Sequence, residues 1–177
     1  IGSSWYYFDA SGAMATGWRR VDDSWSFFAP SGQMQTGWVF DGGSWYWIDP
    51  SGQMQVGWQR VGGSWYYLGT NGAMATGWLR QGGTWYWLGS SGAMATGWQK
   101  VTGEWYYLDT NGAMVTGWEK VSGLWYHFSG SGQMSTGWLD LDGSWYYLGT
   151  DGAMVMGTEW IGGVEYQFGP TGALLGA

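Results

Sequence analysis

The stretch Gly57-Trp58-Gln59-Arg60-Val61-Gly62-Gly63-Ser64-Trp65-Tyr66-Tyr67-Leu68 decides the fold. Its centre, Gly62-Gly63, tolerates the positive φ of a tight two-residue turn. The flanking Val, Trp, Tyr and Leu suit a pleated, half-buried surface, so the stretch reads as a β-hairpin. A two-residue turn sets the register: Val61 faces Ser64, Arg60 faces Trp65, and Trp58 faces Tyr67. Side chains alternate along a strand, which puts Trp58, Arg60, Trp65 and Tyr67 on one face and Val61, Tyr66 and Leu68 on the other. The second face is expected to be the core. Val or Leu recurs at equivalents of position 61 (Val21, Val101, Val121, Leu141), and Leu, Ile or Phe at equivalents of position 68. The first face is an aromatic wall.

The hairpin is one copy of a 20-residue unit that fits eight times into 177 residues, with 17 left over. Gly recurs at Gly12, Gly32, Gly52 and onward to Gly172, and Met follows two residues later from Met14 to Met154. Gly-Trp recurs from Gly17-Trp18 to Gly137-Trp138, with a second Trp seven residues on, from Trp25 to Trp145. Equivalents of the turn pair include Gly42-Gly43, Gly82-Gly83 and Asp142-Gly143. The chain therefore reads as one repeat module over 1–177. Residues 1–16 are a partial first unit, 17–156 seven regular units, and 157–177 a degenerate C-terminal cap. In that last copy Thr158 and Glu165 replace the two Trp and Gln167 replaces a ring. Terminal repeats are commonly atypical, because one face meets solvent rather than a neighbour. The start in mid-pattern at Ile1-Gly2-Ser3-Ser4-Trp5 suggests a piece of something longer.

A single hairpin is marginal in water, so neighbours must bury what each leaves exposed. The expected architecture is all-β: an elongated solenoid of stacked hairpins with one thin core. Asn71-Gly72, Asn111-Gly112 and Asp151-Gly152 mark turns in the linkers, and unbranched Met74 suits the irregular gap between hairpins. Frequent Gly argues against long helices. A β-propeller is the structural competitor, with two repeats making each four-stranded blade.

Composition removes several functions. Thirty-five Gly lack the every-third-residue spacing of collagen, and 20 % aromatic residues are too many for a disordered linker. No run of 18 apolar residues suggests a membrane-spanning helix. With no Cys, disulfides, thiolate metal sites and thiol catalysis drop out. Six basic residues against thirteen acidic ones, a net charge of −7, make nucleic acid a poor partner and favour a cation or a neutral sugar. Catalysis has little support. His127 is the only His, and a Ser-His-acid set would need Asp140 or Asp142 beside it; a substituted stacking residue is the preferred reading. Asp9, Asp49 and Asp109 share a slot that Gly also fills, as turn residues do. No EF-hand spacing or phosphate loop is present, so no metal or cofactor is expected.

The unit T-G-W-x-x-x-x-G-x-W-Y-Y-L-x-x-x-G-x-M resembles the cell-wall-binding repeat of Gram-positive surface proteins. Its closest form is the choline-binding repeat of murein hydrolases, phage lysins and adhesins; related units occur in glucan-binding domains and clostridial toxins. The resemblance implies a left-handed superhelix of hairpins with ligand sites between consecutive hairpins. It also implies a secreted, surface-attached protein without catalysis of its own, often beside a catalytic domain, and in some members a dimer through terminal repeats. Two rings of one repeat, a third from the next, and a Met would form each site. Carried onto this chain, that scheme groups Trp18 and Trp25 with Trp47 and Met34, and Trp38 and Trp45 with Tyr67 and Met54. Next come Trp58, Trp65, Trp87 and Met74, then Trp78, Trp85, Tyr107 and Met94. Trp98 and Trp105 would be completed by His127 and Met114, and Trp118 and Trp125 by Tyr147 and Met134. Trp138 and Trp145 would meet Gln167, which is no ring. The third ring rests on the face assignment, and the neighbouring position (Tyr46, Tyr66, Tyr86, Tyr106, Tyr146) is the alternative.

The residue types suit a trimethylammonium group, which cannot donate a hydrogen bond and gains most from ring faces. Each good cation–π contact is worth roughly 0.5–2 kcal/mol. Two or three rings, less the ordering cost, imply single-site binding in about the millimolar range. A polymer carrying many copies, such as choline-decorated teichoic acid, would raise avidity by about 10²–10⁴. The alternatives are stacking on an α-glucan or another envelope polysaccharide, with Gln33, Gln35, Gln53, Gln55 and Gln59 supplying hydrogen bonds, and a structural or protein-binding spacer whose Trp residues are simply core.

Overall fold

A computed structural model describes residues 4–176; the opening Ile1-Gly2-Ser3 and Ala177 of the expected cap lie outside the described residues. The strands run as regularly as the repeat. In the first hairpins β1 (Gly17–Val21) pairs with β2 (Ser24–Phe28), β3 (Gly37–Asp41) with β4 (Ser44–Ile48), and β5 (Gly57–Val61) with β6 (Ser64–Leu68). Then β7 (Gly77–Gln81) pairs with β8 (Thr84–Leu88), β9 (Gly97–Val101) with β10 (Glu104–Leu108), and β11 (Gly117–Val121) with β12 (Leu124–Phe128). The series closes with β13 (Gly137–Leu141) on β14 (Ser144–Leu148), and β15 (Gly157–Ile161) on β16 (Val164–Phe168), to which β17 (Leu174–Gly176) adds a third strand. Among the described residues there is no helix and no four-stranded blade. The fold is all-β, built from stacked antiparallel hairpins.

The register in β5–β6 is the one that a two-residue turn dictates. Val61 lies opposite Ser64, Arg60 opposite Trp65, and Trp58 opposite Tyr67. Gly62 and Gly63 take φ of 58° and 90°, so both central turn residues are left-handed, as a type I′ turn requires. Asp22, Asp23, Thr102, Ser122 and Asp142 hold the same conformation without being Gly, with φ between 47° and 66°. The degenerate last copy keeps the register: Thr158 lies opposite Gln167 and Trp160 opposite Glu165.

The chain divides into two compact units, Ile1–Leu79 with Trp87–Met94, and Arg80–Tyr86 with Ala95–Ala177. In each, the deepest side chains are the last residues of the hairpins. Ile48, Leu68 and Leu88 in the first unit, and Leu108, Phe128 and Leu148 in the second, are fully buried. The expected core face is therefore correct at these positions. Burial of one such residue is worth about 1.5–3 kcal/mol, and its repetition makes a thin, continuous seam within each unit.

The linkers are tied by local chemistry. Asp49 Oδ1 accepts hydrogen bonds from the backbone N–H of Ser51 at 2.9 Å and of Gln53 at 3.0 Å, and Asp109 does the same for Asn111 and Ala113. These acids are turn residues, as their slot implied. Each linker then returns its Met to the hairpin, where Leu68 and Met74 form an isolated antiparallel bridge.

Candidate ligand-binding site

In the seven hairpins from β1–β2 to β13–β14, two Trp side chains leave on the same face because they alternate with inward residues on paired strands. In β9–β10, Trp98 and Trp105 meet edge to face with centroids 6.2 Å apart. Trp98 is half-buried, whereas Trp105 is 40 % exposed. The outer Trp of the other hairpins is similarly open, from 39 % at Trp125 to 47 % at Trp25. That exposure separates them from the fully buried Leu and Phe seam: the outer Trp residues are not the core.

The ring that the next hairpin packs against the inner Trp is the one at the alternative position, not the one the resemblance assigned. Trp18 meets Tyr46 at 4.8 Å, Trp38 meets Tyr66 at 4.9 Å, Trp98 meets Tyr126 at 4.9 Å, Trp118 meets Tyr146 at 5.1 Å, and Trp138 meets Tyr166 at 4.8 Å. The rings expected in that place lie across their own hairpins instead. Trp47 packs on Trp38, Tyr67 on Trp58, Trp87 on Trp78, Tyr107 on Trp98, His127 on Trp118, and Tyr147 on Trp138, all at 5.1–5.3 Å. The reason is parity. Stacked hairpins bring unlike faces together, so the Trp face of one meets the Leu-and-Tyr face of the next. Tyr66 shares its face with Leu68, whereas Tyr67 shares the face of Trp58 and turns away from the preceding hairpin.

The Met that lines each Trp pair's cavity is one repeat further along the chain than the resemblance placed it. The backbone N–H of Met74 donates to the carbonyl of Trp45 at 2.7 Å, although Met74 was expected beside Trp58 and Trp65. Likewise Met54 bonds Trp25, Met94 bonds Trp65, Met114 bonds Trp85, Met134 bonds Trp105, and Met154 bonds Trp125, while Met34 bonds Trp5. The Met side chain is clamped by the following linker. A Cβ built on Gly92, whose φ is +80°, would stand 2.2 Å from Met74 Sδ. The left-handed backbone favours Gly at that position, and any Cβ there would also have to displace the Met74 thioether.

Open cavities follow from this geometry. Trp38, Trp45, Tyr66, Met74 and Ser91 line one of about 290 Å³. Trp98, Trp105, Tyr126, Met134, Thr150 and Asp151 line one of about 370 Å³. Trp118, Trp125, Tyr146, Met154, Pro170 and Thr171 line one of about 420 Å³. Met154 and the rim residues Ser91, Thr150, Asp151, Pro170 and Thr171 were not expected. The signal for the rim was present, since it is the turn just before the recurring Gly, but only the stack brings that turn to the rings of two hairpins earlier.

Polar groups around the rings are few. Trp18 Nε1 donates to Asp41 Oδ2 at 3.1 Å. Lys100 Nζ lies 5.6 Å from the Trp105 ring centre and Lys120 Nζ lies 6.0 Å from that of Trp125, within cation–π range. His127 Nδ1 shares a hydrogen bond with Ser135 Oγ at 2.9 Å, while Asp140 accepts the backbone N–H of Gly143. Burial pushes the His127 imidazole below its ordinary 6.5, favouring the neutral ring against Trp118. Among the described residues no group of three or more His, Asp or Glu gathers as metal ligands would.

A row of hairpins that repeats an open cage of two Trp, one Tyr and one Met defines a binding module for an apolar or cationic group. The sequence pattern of the choline-binding repeat matches residues 15–56, 55–96, 95–137 and 115–158, and that of the putative cell wall binding repeat matches residues 1–14. The chain belongs to the choline-binding repeat family. Among solved structures it is similar to CbpJ from Streptococcus pneumoniae TIGR4, at 40 % identity and a TM-score of 0.90 over 96 % of this chain and 61 % of that one. Choline binding protein F from Streptococcus pneumoniae, crystallised in the presence of a peptidoglycan analogue, matches at 40 % identity and 0.87 over the same shares. The pneumococcal cell wall endolysin from phage Cp-1, complexed with choline, matches at 37 % identity and 0.51 over 68 % of this chain and 37 % of that one. The chain thus spans about three fifths of the length of CbpJ and choline binding protein F. No curated protein sequence matches it.

Proposed function

We propose that this chain is a non-catalytic module that attaches a secreted protein to a Gram-positive cell wall by holding the choline groups of teichoic acid. The observation that carries this reading is the recurring cage: two Trp from one hairpin, one Tyr from the next and a Met, open to solvent and repeated along the chain. Ring faces attract a quaternary ammonium through their quadrupoles, and the thioether adds a polarisable apolar floor. Each site is weak, and the repeat converts weak sites into polymer avidity. The net charge of −7 draws the cation towards the surface. Family membership and the choline complex of the Cp-1 endolysin support the same ligand.

The test is a titration of Trp fluorescence with choline chloride to about 100 mM, well above a millimolar dissociation constant, against NaCl as ionic control. A saturable change with choline alone is expected. A response no different from that to NaCl, or retention on dextran insensitive to choline, overturns the choline reading in favour of a glucan. Self-association through terminal repeats belongs to the same proposal: in the last repeat Trp160 and Leu175 are each left apolar and open, at 65 % and 71 % exposed, and a second copy would cover them. Sedimentation velocity with the full chain should show a dimer, and a monomer at every concentration would sink that part.

A further inference from the structure

We propose that the cages are not equivalent, and that Asp151 makes the Trp98–Trp105 cage the one that accepts ammonium ligands still bearing an N–H. The inference rests on the choline reading and refines it. The linker slot that Asp151 occupies carries Ser, Asn or Thr in the other eight copies. In the cage built on Trp98 and Trp105, Asp151 is part of the lining. In the cage built on Trp118 and Trp125, the same slot is Thr171, with Pro170 beside it. Otherwise the two are matched: each has two Trp, one Tyr and one Met, and each has a Lys over its outer Trp, Lys100 at 5.6 Å and Lys120 at 6.0 Å. The chain contains its own control.

The chemistry follows from the carboxylate. A trimethylammonium group has no proton to donate, so a carboxylate offers it only a long-range attraction. A protonated tertiary dimethylamino group has one N–H, and rings satisfy it poorly. Asp151 Oδ1 accepts the Ala153 backbone N–H at 3.0 Å, which fixes the side chain. Oδ2 makes no hydrogen bond or ion pair among the described residues and is left to accept a charge-assisted bond. Thr171 offers a neutral hydroxyl in its place. Because Asp151 is exposed, the gain is that of a solvated ion pair, roughly two- to five-fold in affinity. It shrinks as salt screens the charge.

The experiment is a titration of the full chain with choline and, separately, with protonated N,N-dimethylethanolamine, followed site by site through assigned indole N–H resonances. The ratio of dimethylethanolamine to choline affinity is expected to be roughly two- to five-fold higher at Trp98 and Trp105 than at Trp118 and Trp125. Asp151→Asn keeps an acceptor for Ala153 and should erase that difference. Thr171→Asp should create it at the second cage. Equal ratios in the unaltered chain, or a difference that survives Asp151→Asn, overturn the proposal while leaving the choline reading intact. Indole resonances that stay dispersed but respond to neither amine overturn the choline reading itself, and this inference with it.

Discussion

Replacing Tyr126 by Leu should open one wall of the Trp98–Trp105 cage without dismantling the hairpin that carries it. The Tyr126 ring stands 4.9 Å from Trp98 at an interplanar angle of 72°. Trp98 is also held by Tyr107 at 5.2 Å and Phe128 at 5.6 Å, so it keeps its place when Tyr126 is cut back. The loss is then mainly one cation–π wall, roughly 0.5–2 kcal/mol, or about a 2- to 30-fold weaker site. The matched control is His127→Tyr. Its ring faces Trp118 in its own hairpin at 5.2 Å, so choline affinity at Trp98 and Trp105 should stay within about two-fold. Indole N–H shifts during a choline titration resolve the sites, and thermal unfolding checks that both variants are folded. If Tyr126→Leu binds normally at Trp98 while His127→Tyr tightens that site, the parity argument fails and the ring expected from the sequence is the true wall.

Two further outcomes follow from the packing. Gly92→Ala and Gly97→Ala both force Ala into a left-handed backbone, with φ of +80° and +72°, at about 1–2 kcal/mol each. Only the first drives a Cβ into Met74, so urea unfolding should show it weaker by a further 1–3 kcal/mol or so; equal losses would mean that Met74 moves aside freely. The second concerns acid. His127 has a lowered pKa, so the unfolded chain binds more protons between the folded value and 6.5. The stability it contributes is present above 6.5 and is lost as pH falls through the folded value. Calorimetry from about pH 7.5 to 5 should show a falling Tm that His127→Tyr flattens. The turn acids Asp9 and Asp49 have pKa values lowered from 3.8, so their loss lies below that window. An unchanged slope in His127→Tyr would refute the assignment.

Much of this molecule was determined by short-range chemistry. Gly62-Gly63 and its equivalents demand a two-residue turn, the turn demands the pairing of Trp58 with Tyr67 and Arg60 with Trp65, and alternation then buries Leu68. Those steps need only neighbours along the chain, so the sequence alone determines the all-β hairpin repeat and the two Trp that share one face of each regular hairpin. The third ring and the Met were not decided there. Tyr66 and Tyr67 are adjacent, chemically identical, and separated only by which face of one hairpin meets which face of the next. The bond from Met74 to Trp45 joins residues 29 positions apart, and Ser91 reaches the same cage from further still. Offsets of that length are set by how hairpins stack, a matter of burying Leu seams and seating Met against Gly. Only the tertiary structure could say that each cage draws on three successive repeats, or that Asp151 would stand at the rim of just one of the two matched cages.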